Sequence, residues 1–158
     1  MQKRRIPLVF LLTLVLLFAA GCDLLTTIRG GSDGGDPVVV SVDFATDTTL
    51  QGYTSYTTAN VPTAAGAVNI LFTTTAHAKG FQFFKVTYEE QGGDFVFVKG
   101  AVLYSTEELK PEKPLVIGME FAGAIPSRGI SYTDENGETK SFVVSISGND
   151  GSVILAKF

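Results

Sequence analysis

The sequence has one cysteine, one histidine and no tryptophan among its 158 residues. A lone cysteine excludes an intramolecular disulfide, so the fold must be held by its apolar core. The missing tryptophan argues against an antibody-type immunoglobulin domain, which packs a buried tryptophan on a disulfide. One histidine and one cysteine are too few for a His/Cys metal cluster. We therefore predict no metal site.

Signals for catalysis are also scarce. After residue 36 the chain has no sequence typical of the strained turn that presents a catalytic nucleophile. His77 lies in Thr-Ala-His-Ala-Lys beside a predicted strand. It is interpreted as a loop or edge histidine, with a hydrolase base as the alternative. We predict no catalytic residues and a protein that is not an enzyme.

Residues 134–138, Asp-Glu-Asn-Gly-Glu, resemble the start of a calcium loop. An EF-hand loop needs a glutamate at its twelfth position, and that position is Ser145, inside a predicted strand. A plain turn is therefore predicted, and a weak surface calcium site is the alternative.

The N-terminal segment has the three parts of an export signal. Basic residues precede an apolar run over residues 6–18, which is followed by small residues. Its 13 residues fall short of the roughly 20 that span a bilayer as a helix. The order of these parts predicts a secretory signal over residues 1–21.

Ala19-Ala20-Gly21-Cys22 resembles the lipobox of bacterial lipoproteins, a match limited to residues 1–22. The resemblance implies that the Cys22 thiol receives a diacylglyceryl group. It also implies cleavage between Gly21 and Cys22. Two acyl chains are what stable membrane anchoring requires. At the first lipobox position, which is Ala19 in this chain, a larger aliphatic residue is usual. The alternatives are an ordinary signal peptide with a bystander cysteine and an uncleaved membrane helix.

The resemblance also implies a location. We expect an exported protein that is lipid-anchored to the cell membrane. In some Gram-negative lipoproteins an aspartate after the cysteine, here Asp23, retains the protein on the periplasmic face of the inner membrane. In other hosts we expect the extracellular face. The lipid on Cys22 is the only covalent group expected, and no cofactor is predicted.

The mature chain is acidic. Removing residues 1–21 leaves 137 of 158 residues, with nine basic and 16 acidic side chains and a formal charge of −7. This length suits one domain. An acidic surface repels nucleic acid and anionic lipid headgroups, so nucleic acid is excluded as a partner.

Composition divides the mature chain into two parts. Residues 22–36 form the lipidated N-terminus and a tether, because residues 30–35 hold five Gly or Ser and no apolar side chain. Such a segment cannot bury enough surface to offset its ordering entropy. Residues 37–158 are predicted to form a single β domain.

Residue patterns within this domain are typical of strands. β-Branched and aromatic residues, in part alternating, predict strands over residues 38–44, 67–74, 81–90, 94–104, 115–122, 129–133, 139–147 and 153–158. Gly92 and Gly93 predict a tight hairpin between the third and fourth. Turn residues at 134–137 and 148–151 predict that the last three strands form a meander. The fourth predicted strand, residues 94–104, is expected to be buried on both faces. Residues 45–66 are predicted to be a long loop or a loop with a short strand.

One segment has a helical signal. Ser105 and Glu108 fit a capping box over residues 105–110, and Pro111 prevents extension. The elements together predict an antiparallel β-sandwich, immunoglobulin-like or of Greek-key type, with about seven to nine strands and one short crossover helix.

Tyr53 and Tyr56 lie in the Thr-rich loop after the first strand. Loops at the end of a rigid sandwich often bind partners, and tyrosine offers contact area at low entropic cost. The alternative is that both rings cover the sandwich edge. We expect a non-enzymatic binding, accessory or structural module of the cell envelope, with an envelope protein or glycan as partner. A small-ligand or carbohydrate-binding domain and an envelope hydrolase are the alternatives.

Overall fold

The computed structural model of the protein describes residues 39–61, 66–121 and 125–158. The export signal, Cys22 and the tether predicted over residues 1–36 lie outside the described residues. Within them the chain forms nine strands and one helix. In chain order these are β1 (Val40–Phe44), α1 (Asp47–Leu50), β2 (Thr57–Ala59), β3 (Val68–Thr74), β4 (Ala78–Gln91), β5 (Asp94–Leu109), β6 (Leu115–Met119), β7 (Arg128–Thr133), β8 (Thr139–Ile146) and β9 (Val153–Lys157).

The strands form the two sheets of an antiparallel β-sandwich, as predicted. The first sheet has the order β1-β3-β6-β2 and the second the order β5-β4-β7-β8-β9. All pairings between these strands are antiparallel except that of β2 with β6. The β4–β5 hairpin turns at Gly92 and Gly93, both with positive φ. Strands β7, β8 and β9 form the meander expected from the C-terminal pattern.

The prediction of a helix over residues 105–110 is wrong. Residues 105–109 continue β5 and pair with β4, for example Thr106 with Phe81. Long-range pairing therefore overrides the local capping signal. The short helix is α1 instead. The Thr46 hydroxyl caps it by accepting from the Thr49 backbone NH, while the Thr49 side chain accepts from the Thr46 NH.

Helix α1 lies in a crossover within one sheet. Strands β1 and β2 run in the same direction on opposite edges of the first sheet, so residues 45–56 must pass from one edge to the other. Leu71 and Val116 are paired on the outward face of this sheet and are nearly fully buried. Their burial is expected for a face that the connection crosses.

Aromatic side chains fill the space between the sheets. Phe72 of the first sheet meets Phe81 and Phe83 of β4 edge to face, with ring centroids 5.7 and 6.2 Å apart. All three rings are fully buried. Tyr132 stacks on Phe142 on the same inner side, with centroids 6.0 Å apart. The contacts of Phe72 with Phe81 and Phe83 join the two layers, and the Tyr132–Phe142 stack lies within the second sheet.

A second, smaller cluster lies on the outer face of the second sheet. Phe84, Val86 and Val143 are buried there, and Phe97 packs against them. The prediction that residues 94–104 are buried on both faces of their strand is wrong, since Val96, Phe97 and Val98 are only partly buried. Strand β5 is an edge strand, and two register shifts against β4 curve it.

Candidate functional site

One end of the sandwich brings several chain segments together. Strand β4 starts there opposite the end of β5, where Ala78 pairs with Leu109. Strand β6 starts there too, and the Thr57 NH at the start of β2 donates to the Pro114 carbonyl. His77 lies in the connection between β3 and β4 at this end. The first described residue, Val39, also lies there, because its carbonyl accepts from the Thr75 NH.

A polar cleft with a volume of about 420 Å³ lies at this end. It is bordered by the segment that enters β2, by the last residues of β5 and by the β5–β6 connection. Its lining side chains are Thr54, Ser55, Thr57, Tyr104, Thr106, Glu108, Leu109, Lys110, Glu112, Lys113 and Leu115. Only Leu109 and Leu115 are aliphatic, and both are almost completely buried. We call this cavity the polar cleft.

Strand β5 supplies the polar wall of the cleft. Alternate residues of a strand share a face, so Tyr104 and Thr106, which pair with the core residues Phe83 and Phe81, point inward. Glu108 pairs with the exposed Lys79 and therefore lies at the rim of the cleft. All three are partly buried, whereas Ser105 and Glu107 between them are exposed. Further along the sandwich this inward side is filled by apolar residues. At the cleft the Tyr104 and Thr106 hydroxyls thus lie at the end of this apolar interior, and the Glu108 carboxylate lies at the rim.

The Glu108 carboxylate is held from two sides. Its Oε1 lies 2.6 Å from His77 Nδ1, and its Oε2 lies 3.4 Å from Lys110 Nζ. The hydrogen bond to His77, with a smaller contribution from Lys110, keeps the pKa of Glu108 below its ordinary value. Glu108 is thus an ionised acceptor with one partner on each carboxylate oxygen. A carboxylate has about four acceptor positions, so it can accept further hydrogen bonds from a ligand.

The two predicted tyrosines flank the cleft without lining it. Tyr53 is partly buried, and Tyr56 is 47 % exposed. The lining residues Ser55 and Thr57 are the direct neighbours of Tyr56. The loop that was proposed to bind a partner therefore borders the cavity, with Tyr56 displayed beside it.

His77 lies at the end of a sheet connection, and its ring is exposed. A general base needs both an orienting carboxylate and a nucleophile within reach. Glu108 fits the first role. The nearby Thr106 hydroxyl donates to the Glu108 carbonyl at 3.3 Å, so it is engaged in the strand. The geometry supports a positioning contact between His77 and Glu108 more directly than a catalytic pair.

The predicted turn at residues 134–138 connects β7 and β8. The Asp134 carboxylate accepts from the backbone NH groups of Asn136 and Glu138 at 3.0 and 2.9 Å. Lys140 Nζ lies 2.6 Å from Glu138. These oxygens are used to close the turn. In residues 39–61, 66–121 and 125–158, no group of three or more His, Cys, Asp or Glu could hold a metal ion.

Sequence patterns did not identify the polar cleft. Its walls come from segments about 50 residues apart in the chain, residues 54–57 and 104–115, and their proximity depends on the sheet pairing. One signal was available at β5, where Tyr104 and Thr106 place hydroxyls on one strand face. The helical interpretation of residues 105–110 concealed that alternation.

No helix in the part of the chain that the structure describes is long and apolar enough to cross a membrane. Comparison with models of protein families, with curated proteins and with solved structures gave no match.

Proposed function

We propose that this protein is a lipid-anchored module of the bacterial cell envelope that binds a ligand or partner without catalysing a reaction. The anchor is supported by Cys22, which follows an export signal and three small residues. The binding role is supported by the polar cleft, where hydroxyl groups, two carboxylates and two lysines line one cavity beside the core.

A second candidate function, an envelope hydrolase, has one observation in its favour. His77 and Glu108 are 2.6 Å apart, as a base and its orienting carboxylate would be. An unbiased hydrolase screen tests it, with loss of activity in His77→Ala as the supporting result. Because the Thr106 hydroxyl is engaged in the strand, we place binding before catalysis.

The anchor is tested by metabolic labelling with a palmitate analogue. Wild-type protein should take up the label and partition with membranes, and Cys22→Ser should do neither. This substitution removes the only thiol in the chain, so no other cysteine can accept a lipid. Labelling that persists in Cys22→Ser would rule out the proposed anchor.

The binding role is tested by crosslinking the native lipoprotein in cells and identifying what it captures. Replacing Tyr53 and Tyr56 by Ala should abolish capture of a partner that docks on this loop, with little change in melting temperature. Tyr88→Ala is a matched control, since Tyr88 is exposed to a similar degree, 49 % against 47 % for Tyr56. Lost stability with capture intact would assign the two tyrosines to packing.

A further inference from the structure

The charges in the polar cleft compensate one another. Lys110 and Lys113 face the same cavity as Glu108 and Glu112, so two positive groups accompany two negative ones. A phosphate or carboxylate ligand would approach the two glutamates, and a cation would approach the two lysines. Neither sign of charge is favoured, and the ligand that fits best is neutral.

The hydrogen-bonding groups of the cleft include both donors and acceptors. Carboxylates accept only, ammonium groups donate only, and the hydroxyls of Thr54, Ser55 and Thr57 do both, while that of Thr106, which donates to the Glu108 carbonyl, can still accept. A ligand that matches this lining presents many groups that each donate and accept. Sugar hydroxyls have this property, and they are spaced closely enough for several to be bound at once.

The lining also includes one aromatic ring. Tyr104 is partly buried beside the core, whereas Leu109 and Leu115, at 2 % and 1 % exposed, leave almost no surface for a ligand. An aromatic ring next to polar groups suits a ligand with one apolar face and a hydroxylated edge. A pyranose ring has both. The cleft volume of about 420 Å³ lies within the range of about 300–1,000 Å³ typical of small-molecule sites.

Glu108 is the residue most suited to orient such a ligand. Its carboxylate already has His77 and Lys110 as partners on opposite oxygens, which reduces the side-chain freedom lost on binding. Charge-assisted hydrogen bonds from ligand hydroxyls to a carboxylate are stronger than neutral ones. His77 lies outside the lining and acts through Glu108, as a positioning residue.

We propose that the polar cleft binds a neutral saccharide, with Glu108 as the main acceptor for its hydroxyl groups. This inference names the ligand class for the binding module proposed above and rests on that function. The sugar can come from a soluble or polymeric glycan or from a glycolipid headgroup. Val39, where the described chain begins, lies at the same end of the sandwich as the cleft, which places the cleft near the point where the anchored segment joins the domain.

The test is isothermal titration of the full-length lipoprotein in detergent. The probes are tetrasaccharides of N-acetylglucosamine, glucose, mannose and galactose, with tetragalacturonate and inorganic phosphate as anionic probes. At least one neutral probe should bind and saturate, and the anionic probes should bind at least tenfold more weakly. Phosphatidylcholine vesicles with and without digalactosyl diacylglycerol then distinguish a free glycan from a glycolipid headgroup.

Adjacent glutamates provide the matched variants. Glu108→Gln should weaken binding of the neutral probe about tenfold or more, whereas Glu107→Gln, on the exposed side of the same strand, should change it less than twofold. Both variants remove one negative charge, so a long-range electrostatic effect would alter both equally. His77→Ala should give an intermediate loss, and His77→Gln, which can still donate to Glu108, should recover part of it.

Three results would overturn the inference. They are preferential binding of an anionic probe, equal losses in Glu107→Gln and Glu108→Gln, and no binding of any saccharide probe. If a protein partner is still crosslinked in cells after such a result, the proposed function stands and only the ligand class is wrong. Thermal unfolding of each variant, compared with wild type, shows whether a loss of binding reflects a loss of folding.

Discussion

The Phe84 ring lies directly against the α-carbon of Gly129, its cross-strand partner in β7. A β-carbon added to Gly129 would be 2.6 Å from Phe84 Cε2 and 2.8 Å from the Phe142 carbonyl oxygen. Phe84 is fully buried although it points away from the main core. The missing side chain at residue 129 therefore leaves room for an aromatic ring on the outer face of the second sheet.

Gly129→Ala should destabilise the protein by about 1–3 kcal/mol, the usual cost of overpacking. One of the close atoms belongs to the backbone of β8, so rotation of the Phe84 ring alone cannot relieve the contact. The measurement is the free energy of unfolding from urea titration. Gly148→Ala is the control, because nothing lies within 4 Å of its added β-carbon.

Equal stabilities of the Gly129→Ala and Gly148→Ala variants would contradict this packing. A further check is Phe84→Leu in the Gly129→Ala background. The smaller side chain makes room for the new methyl group, so the cost of Gly129→Ala should be lower there than in wild type.

Lys99 covers the same ring. Its Nζ lies 4.6 Å from the Phe84 ring centroid and donates to Gln82 Oε1 at 2.7 Å and to Ser131 Oγ at 3.0 Å. Lys99→Met keeps most of the aliphatic stem but removes the charge and both hydrogen bonds. It should reduce the free energy of unfolding by about 1–2 kcal/mol, because the buried Ser131 hydroxyl loses a donor.

The control for Lys99 is Lys79→Met, an exposed lysine on the neighbouring strand β4. It should change the free energy of unfolding by less than about 0.5 kcal/mol. Similar losses in both variants would show that the total charge of the protein matters, and that the contacts of Lys99 with Phe84 and Ser131 do not.

The sequence was sufficient to predict strands and turns where turn residues and alternation indicate the same element. The Gly92-Gly93 hairpin and the β7–β8–β9 meander have both signals and were predicted within a few residues. Residues 105–110 show the opposite case, since Ser105 and Glu108 satisfy a helix cap locally while long-range pairing with β4 extends the strand. Helix α1 was missed because Thr49 completes the cap where Glu or Gln is the usual signal.

The polar cleft could not be predicted from the sequence, for a different reason. Thr57 and Thr106 become neighbours only because β2 and β5 are edge strands of different sheets that meet at one end of the sandwich. No spacing rule connects them. Tyr53 and Tyr56 were selected by residue type and loop length, and the structure places this loop next to the cavity.

Tyr132 links the two sheets through its hydroxyl group. The side chain is 1 % exposed, and the backbone of Val39 and Val40 hydrogen-bonds to its oxygen. Burial raises the pKa of Tyr132 above its ordinary value. Tyr132→Phe keeps the ring stacked on Phe142 but leaves those backbone groups without a partner. It should cost about 1–3 kcal/mol of unfolding free energy, measured by urea titration at pH 7.

Phe142→Tyr is the comparison for Tyr132→Phe, since it adds a hydroxyl to the stacked partner and removes none. A Tyr132→Phe variant as stable as wild type would show that water satisfies the β1 backbone. In that case amide hydrogen exchange at Val40 should rise in the variant although global stability does not change.

Asp150 should make the protein sensitive to acid through the β8–β9 turn. Its Oδ1 accepts from the Ser152 hydroxyl at 2.7 Å and from the Ser152 backbone NH at 3.1 Å. These hydrogen bonds, the one from the side chain first, lower the pKa of Asp150 from 3.8 to about 2. A carboxylate with a lowered folded-state pKa binds protons more readily in the unfolded chain. Its stabilising effect is therefore complete above about pH 4 and lost as the pH falls towards 2.

The measurement is the urea midpoint of wild type and Asp150→Asn between pH 7 and pH 2. Wild type should be the more stable at neutral pH, and the difference should shrink as the pH falls from about 4 to about 2. Glu135→Gln, an exposed change in the β7–β8 turn, controls for the loss of a negative charge. A difference between wild type and Asp150→Asn that stays constant down to pH 2 would mean that the Ser152 hydrogen bonds do not favour the ionised carboxylate.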